Sequence, residues 1–264
     1  MLQKRYEGFI KTPCLWKNDV VFNLHQFKIN SKSDKIDIPI DENLRLGKYV
    51  ERLVAFELGK QNDISILCEN IQIQNKKITL GEIDCLLLRN NKPIHLEIIY
   101  KFYLYDASVG NSEIDHFIGP NKKDSLIEKL TKLKEKQLPL LYSDACKPFL
   151  DTFNLSVEAV TQYVYFKAQL FMPLSDEHVK LKTLNPDCIA GFYINPSEFH
   201  KLLDCKFYIP DKKDWLILPH THVHWLNFEV FKTVTQNFIE KQFSALCWVK
   251  FNSGELKKLF LNWW

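Results

Sequence analysis

Residues 81–104, GEIDCLLLRNNKPIHLEIIYKFYL, decide the fold because they read as a β-hairpin with acidic side chains near its middle. Asn90 and Asn91 are predicted to form a two-residue turn, since asparagine tolerates the positive φ angles that this turn requires at both central positions. A two-residue turn pairs Arg89 with Lys92, and a four-residue loop centred on the same point keeps the same pairing. The sequence therefore predicts two antiparallel strands in a defined register.

The predicted register places Asp84 directly opposite Glu97. Opposed residues lie about 4.5–5.5 Å apart with their side chains on one face, and like charges there destabilise the sheet. A divalent cation between the carboxylates removes the repulsion, and hard oxygen ligands suit Mg²⁺ or Mn²⁺. The alternative is an exposed edge hairpin with solvated charges. Burial is favoured by the opposite, apolar face of the second strand, which comprises Ile94, Leu96, Ile98, Tyr100, Phe102 and Leu104.

The wider chain alternates helices and strands. A helix is predicted between Asp41 and Lys60, with Glu51 inside one of its two apolar stripes. Three strands follow, then a second helix over residues 119–139, and then a strand that Pro173 ends. This order predicts an α/β fold with a mixed central sheet flanked by helices. Residues 1–172 are predicted to form the core with an N-terminal extension, and residues 173–264 an added α/β region packed on it.

The composition is that of an ordinary globular protein, with 264 residues of which 46% are hydrophobic and 25% charged. A formal net charge of +3 is too small to indicate a nucleic-acid partner by itself. No window has the roughly 18 apolar residues of a membrane span, and the N-terminus lacks the apolar stretch of a signal peptide. The seven cysteines include no CxxC pair, which favours thiols in a reducing compartment. We therefore expect a cytoplasmic protein with no membrane partner.

The helical Glu51, the motif GEID ending in Asp84, and the strand with Glu97 and a nearby Lys101 resemble the PD-(D/E)XK nuclease superfamily over about residues 41–172. The wider chain, with GPN, YFKAQLFMPL and an aromatic C-terminal region, looks like an uncharacterised bacterial family assigned to that superfamily. The resemblance implies a restriction-endonuclease-like core. It also implies a Mg²⁺- or Mn²⁺-dependent nuclease that hydrolyses phosphodiester bonds of a nucleic acid, with DNA as the expected partner.

The resemblance implies a role for each residue of the motif. Asp84 and Glu97, with the backbone carbonyl of Ile98, would hold the metal. Glu51 would help to bind a second ion or a water. Lys101 would stabilise charge on the phosphate or orient the attacking water.

This chain departs from the superfamily pattern at the lysine. An acid-x-Lys pattern would put lysine at position 99, where the sequence has Ile99, and Lys101 follows two residues later. Lys101 shares the face of Glu97 but lies about 13 Å along the strand from it. Either Lys101 reaches back, or the site lacks its lysine and the chain binds a nucleic acid or a protein partner without cleaving it. Glu82 and His95 are candidates for supporting the site.

Two further patterns have alternative interpretations. The predicted second helix carries Lys122, Lys123 and other lysines, which suit either phosphate contacts or a solvated helix face. The stretch PHTHVHWL is predicted to be a strand, which would put His220, His222 and His224 on one face and allow a zinc-dependent enzyme. Three such residues span about 13 Å, too far for one ion, so only two of them plus a distant ligand could bind zinc.

Overall fold

The computed structural model describes residues 1–30, 34–175 and 179–264. The fold is α/β, with a mixed sheet and flanking helices, as the sequence predicts. Within the described residues, no helix combines the length and the apolar content needed to cross a bilayer. The helices are α1 Leu2–Lys11, α2 Leu46–Gly59, α3 Leu126–Lys132, α4 Lys147–Asp151 and α5 Phe228–Glu240. The strands are β1 Val20–Val21, β2 Leu24–His25, β3 Ile64–Asn75, β4 Ile78–Arg89, β5 Lys92–Tyr105, β6 Phe117–Ile118, β7 Thr161–Pro173, β8 Ile189–Ile194, β9 Lys206–Tyr208, β10 Ala245–Lys250 and β11 Leu256–Leu261.

The chain divides into two compact units, each made of segments distant in sequence. The hairpin unit comprises Cys14–Tyr100 and Glu128–Lys167. The terminal unit comprises Met1–Pro13, Lys101–Ile127 and Ala168–Trp264. The predicted domains, residues 1–172 and 173–264, stay a prediction that this grouping does not test.

The hairpin unit is built on an antiparallel meander of β3, β4 and the first part of β5. Asn90 and Asn91 have φ angles of 50° and 61°, so the predicted turn is confirmed. The register is confirmed from the Arg89–Lys92 pair next to the turn to the Cys85–Leu96 pair. One face of the meander packs on an apolar cluster that includes Ile73, Ile83, Leu86, Leu140, Leu141 and Leu150.

The terminal unit contains β8 and β11 as a parallel pair, with β10 antiparallel to β11 and β9 antiparallel to β10. Helix α5 packs on this sheet, and the rings of Phe207 and Phe231 stack there with centroids 4.0 Å apart. The helix begins at the side chain of Asn227, whose oxygen accepts from the backbone N–H of Val230 at 2.9 Å.

Several local predictions differ from the structure. Helix α2 begins at Leu46 rather than near Asp41, whose carboxylate instead accepts from the backbone N–H of Asn43 in a preceding turn. The second predicted helix is shorter: α3 is followed by a π-helical turn, Leu133–Gln137, and by a 3₁₀ helix, Leu138–Tyr142. Helix α1 lies in the predicted N-terminal extension.

The strand predicted in the histidine-rich stretch is wrong. The chain forms a 3₁₀ helix, Lys212–Leu216, and continues irregularly through the three histidines. Consecutive residues Trp215, Leu216 and Ile217 are all buried, which a strand with one solvated face does not allow. The buried ion pair between Arg5 and Asp214, at 2.6 Å, anchors this helix to α1.

Candidate metal centre

Three carboxylates converge on one point of the hairpin unit. Glu51, Glu82 and Asp84 each offer an oxygen, and these oxygens all lie within 4.8 Å of one another. In the described part of the chain, this is the only group of three or more histidine, cysteine or acidic side chains with such spacing. Oxygens that share one octahedral Mg²⁺ lie about 3–4 Å apart, so a small inward movement suffices. The residues therefore fit a hard divalent cation.

Local structure explains why these side chains meet. Glu82 and Asp84 are separated by one residue on β4, so they project from the same face of the sheet. Glu51 lies on α2 among buried apolar residues and is only 8% exposed, as its position within an apolar stripe predicts. Burial raises the pKa of the Glu51 carboxyl, and the neighbouring Lys48 offsets part of this effect.

Lys48 is the cation of the cluster, and it is not among the predicted site residues. Its ammonium donates to Glu51 at 3.0 Å, to Glu82 in a short contact, and to the side-chain oxygen of Asn70 at 2.6 Å. Burial opposes the charge on Lys48, but its bonds to Glu82 and Glu51 outweigh this effect and raise its pKa. Because the Lys48 side chain is 41% exposed, its ammonium can turn from the carboxylates toward a ligand.

Asn70 holds an unusual backbone conformation inside β3. Its φ angle is 57°, in the left-handed region that non-glycine residues seldom adopt. Glu69 pairs with Cys85 and Ile71 pairs with Ile83, so Asn70 lies at the level of Asp84. Such outliers cluster at functional sites because the surrounding structure must hold them there.

Asp84 is the most perturbed carboxyl of the group. Burial, and after it the charge of Glu97, raise its pKa to about 7, although the backbone N–H of Ile98 donates to its Oδ2 at 2.9 Å. A carboxyl that is about half protonated at neutral pH must lose its proton when it binds a cation. Metal binding at this site is therefore expected to release a proton.

Glu97 is completely buried and has partners on both oxygens. Gln137 donates to Oε2 at 2.5 Å, and Lys129 donates to the side-chain oxygen of Gln137 at 2.7 Å. Gln137 ends the π-helical turn, and such single turns of π-helix are frequent at functional sites. Glu97 thus acts electrostatically on Asp84 but is not a member of the three-carboxylate group.

The other oxygen of Glu97 lies 3.0 Å from Nε2 of His95, and the surrounding bonds determine the tautomer of that ring. Gln162 Nε2 contacts the carbonyl of Leu138 at 2.7 Å and Nδ1 of His95 at 3.0 Å. A carbonyl can only accept, so the Gln162 atom that contacts Leu138 is the amide nitrogen. An amide nitrogen can only donate, so Nδ1 of His95 accepts from it and carries no proton. The proton on Nε2 of His95 is therefore the one donated to Glu97. This arrangement supports the predicted role of His95 as a residue that holds the site.

The structure separates the predicted site residues into groups. Glu51 and Asp84 lie together with Glu82, and the charge of Glu97 acts on Asp84. Ile98 contributes its backbone N–H to Asp84, and the predicted role of its carbonyl stays a prediction.

Lys101 belongs to the terminal unit, where its ammonium pairs with Asp124 at 2.6 Å. The predicted catalytic role of Lys101 stays a prediction.

The three histidines also lie in the terminal unit. Nε2 of His220 is 3.2 Å from the ammonium of Lys4, and the rings of His220 and His222 are 6.2 Å apart. Within the described ranges, the histidines do not join a group of three possible ligands with metal-binding spacing. Without the predicted strand, the geometric basis for a zinc enzyme is lost.

Residues 18–259 match a protein family described as a domain of unknown function, DUF1853. The chain belongs to the DUF1853 family. No curated protein and no solved structure matches this DUF1853 chain. What the chain does must therefore be argued from its own residues.

Two residues of this DUF1853 site carried signals in the sequence. Lys48 lies three positions before Glu51, a spacing that makes the two side chains neighbours on a helix. Glu82 shares the face of Asp84 because strand residues alternate with a period of two. Gln137 and Asn70 gave no comparable signal, since their roles depend on contacts between distant segments.

Proposed function

We propose that this chain is a divalent-metal-dependent phosphodiesterase that cleaves a nucleic acid, most simply DNA, with a site of PD-(D/E)XK type. The observation that carries the proposal is the convergence of Glu51, Glu82 and Asp84 within 4.8 Å, on a helix and a strand whose sequence resembles that superfamily. Three clustered carboxylates repel one another, and a shared Mg²⁺ or Mn²⁺ relieves that repulsion.

Each residue of the site has a separate task in this proposal. Glu51, Glu82 and Asp84 would hold the cation. A bound divalent cation supplies charge stabilisation at the phosphate and lowers the pKa of a water. Lys48, released from Glu51 and Glu82, donates its N–H groups to a phosphate oxygen, which is the task that the resemblance assigned to Lys101. Glu97 keeps its negative charge beside Asp84 and thereby opposes ionisation of Asp84 until a cation arrives.

The test is cleavage of end-labelled DNA and RNA by the full-length chain in Mg²⁺, Mn²⁺ or EDTA. We expect cleavage that requires the metal and falls by about a hundredfold or more in Asp84→Asn and Glu51→Gln. Lys48→Met should lose cleavage, while Lys101→Met should retain it. Cleavage by Asp84→Asn at the native rate would exclude this site.

A matched control is Asp63→Asn. Asp63 is a carboxylate of the same unit, but it pairs with Arg89 at 2.9 Å and is absent from the three-carboxylate group. The control makes the same change of carboxylate to amide, and we expect it to cleave at the native rate. Equal losses in Asp63→Asn and Asp84→Asn would indicate damage to the fold rather than to the site.

A second candidate is a protein on the same fold that binds nucleic acid without cleaving it. The observation that favours it is the position of Lys48, whose ammonium already compensates Glu51 and Glu82. A permanent ion pair there would replace the metal. This candidate predicts binding of nucleic acid in EDTA that survives Asp84→Asn, with no cleavage in any metal.

A further inference from the structure

A groove in the hairpin unit lies beside β2 and has features of a binding site. Its volume is about 360 Å³, within the size range of small-ligand sites. Its lining includes Asp19, His25, Gln26, Lys28, Arg89 and Tyr163. None of them belongs to the three-carboxylate group. We call this cavity the β2 groove.

Gln26 is the first sign of a ligand. It is only 4% exposed, and its side-chain oxygen is buried without a hydrogen-bond donor among the described residues. Its nitrogen donates to the carbonyl of Phe27 at 3.3 Å, which fixes which end of the amide is the acceptor. A buried acceptor without a donor is unfavourable, so the groove is suited to a ligand that supplies an N–H group.

Two hydrogen bonds hold the backbone around Gln26. Its N–H donates to the carbonyl of Asp19 at 2.9 Å, and the next N–H, of Phe27, donates to Val164 at 2.9 Å. The amide oxygen has almost no exposed surface, so a ligand reaches it only after the Gln26 amide rotates about its Cγ–Cδ bond. That torsion has a broad, roughly two-fold profile, which allows such a turn.

Aromatic rings form one side of the groove. Tyr163 packs edge-on against His25, with ring centroids 6.1 Å apart, and against Phe27, with centroids 5.9 Å apart. Tyr163 and His25 keep exposed surface, whereas Phe27 is buried beneath them. A flat ligand ring can stack on such a platform, and base–aromatic stacking tolerates every base.

Each of the two cations in the groove has a carboxylate partner, and Asp63 pairs with Arg89 at 2.9 Å. Arg89 and Lys28 supply two positive charges, and Asp19 supplies one negative charge and pairs with Lys28 at 2.5 Å. Arg89 also lies over the ring of Phe27, 5.3 Å from its centroid. A ligand that carries both a flat ring and a phosphate would contact the aromatic rings and a cation at the same time.

We propose that the β2 groove binds a nucleobase that carries an exocyclic amino group, such as cytosine or adenine. The amino group donates to Gln26, the ring stacks on Tyr163 with its edge toward His25, and the attached phosphate contacts Lys28 or Arg89. The base comes either from a free nucleotide or from an unpaired position in a single strand. The site goes beyond the proposed cleavage, because its contacts involve no residue of the metal centre.

The test is calorimetric titration of the full-length chain in EDTA, where binding is read without cleavage. CMP and UMP have the same size and differ by an amino group in place of a carbonyl oxygen. We expect CMP to bind about tenfold more tightly, a difference of about 1.4 kcal/mol. Equal affinity for CMP and UMP, or no binding of either at millimolar concentration, would overturn the proposal without requiring any variant.

Substitutions in the β2 groove test whether the preference for CMP arises there. Gln26→Met keeps the side-chain length and should remove the preference for CMP while leaving UMP binding unchanged. It should change Tm little, because it deletes an unsatisfied acceptor together with one long hydrogen bond to Phe27. Tyr163→Leu should weaken both ligands, whereas Tyr142→Leu, at a tyrosine that is 57% exposed and outside the groove, should weaken neither. A CMP preference that survives Gln26→Met would contradict the site.

Two further ligands identify the source of the base. If oligo(dC) binds more tightly per site than CMP and keeps its advantage over oligo(dU), the groove takes a base from a single strand. If CMP binds as tightly as oligo(dC), the groove takes a free nucleotide. Ribose 5-phosphate that competes as well as CMP would show a phosphate site without base recognition and would overturn the proposal.

Discussion

Replacing Asp84 with asparagine should stabilise the metal-free protein while it removes metal binding. In the folded chain, burial and the charge of Glu97 raise the pKa of Asp84 to about 7. In the unfolded chain the pKa returns to about 3.9. The folded protein therefore binds one more proton than the unfolded protein at pH values between these two pKa values. Its stability must fall as the pH rises through this window.

The size of the effect follows from the shift in pKa. A shift from 3.8 to about 7 is about three pH units, and each unit corresponds to about 1.36 kcal/mol. The upper limit is therefore about 4 kcal/mol at pH 8, and partial exposure of Asp84 reduces it to about 1–3 kcal/mol. Asparagine is neutral at every pH and can still accept from Ile98, so Asp84→Asn should recover this free energy at pH 8 and only about a third of it at pH 5.

The assay is thermal unfolding of both proteins in EDTA at pH 5, 6, 7 and 8. Groups that titrate in both proteins cancel in the difference, so the comparison isolates Asp84. For a chain of this size, 1–3 kcal/mol corresponds to a rise in Tm of about 2–12 °C at pH 8. Asp63→Asn is the matched control and should lower Tm slightly, because Asp63 loses its partly exposed ion pair with Arg89.

Adding Mg²⁺ or Mn²⁺ completes the experiment. The metal should raise the Tm of the native protein at pH 8 and leave Asp84→Asn unchanged. A variant less stable than the native protein in EDTA at pH 8 would refute the electrostatic argument. Equal stabilisation of both proteins by the metal would refute the participation of Asp84 in the site.

Three further substitutions probe the neighbours of the metal centre. Lys48→Met should tighten Mn²⁺ binding, measured by electron paramagnetic resonance, because it removes the competing cation; weaker binding would contradict this role. Gln137→Leu should lower the free energy of unfolding in urea by about 1–3 kcal/mol, since buried Glu97 loses a hydrogen bond. An unchanged urea midpoint would contradict the hydrogen-bond network around Glu97. Asn70→Ala should be about 1 kcal/mol less stable than Asn70→Gly, because alanine is strained at a φ of 57°; the reverse order would show that backbone strain is unimportant there.

Features that depend on neighbouring residues could be predicted from the sequence. The Asn90–Asn91 turn sets the register of β4 and β5, and the apolar stripes of α2 bury Glu51. The face shared by Glu82 and Asp84 follows from the alternation of a strand. These patterns act over a few residues, so periodicity and turn chemistry suffice to predict them.

Features that depend on distant segments could not be predicted. Gln137 reaches Glu97 only because a π-helical turn interrupts a helix that the sequence predicts as continuous. Lys101 was assigned to the site by its strand face, but Asp124, which is 23 residues away in sequence, is its partner. The histidine-rich stretch alternates like a strand, yet the burial of Trp215 and its neighbours imposes another conformation.

The central claim is that Glu51, Glu82 and Asp84 bind one divalent cation. The most direct measurement is a crystal structure of the chain with Mn²⁺, recorded so that manganese is identified by its anomalous scattering. We predict one manganese peak bounded by these three carboxylates, with the Lys48 ammonium displaced from Glu51 and Glu82. An absence of manganese there, with Lys48 still bridging the two glutamates, would contradict the claim.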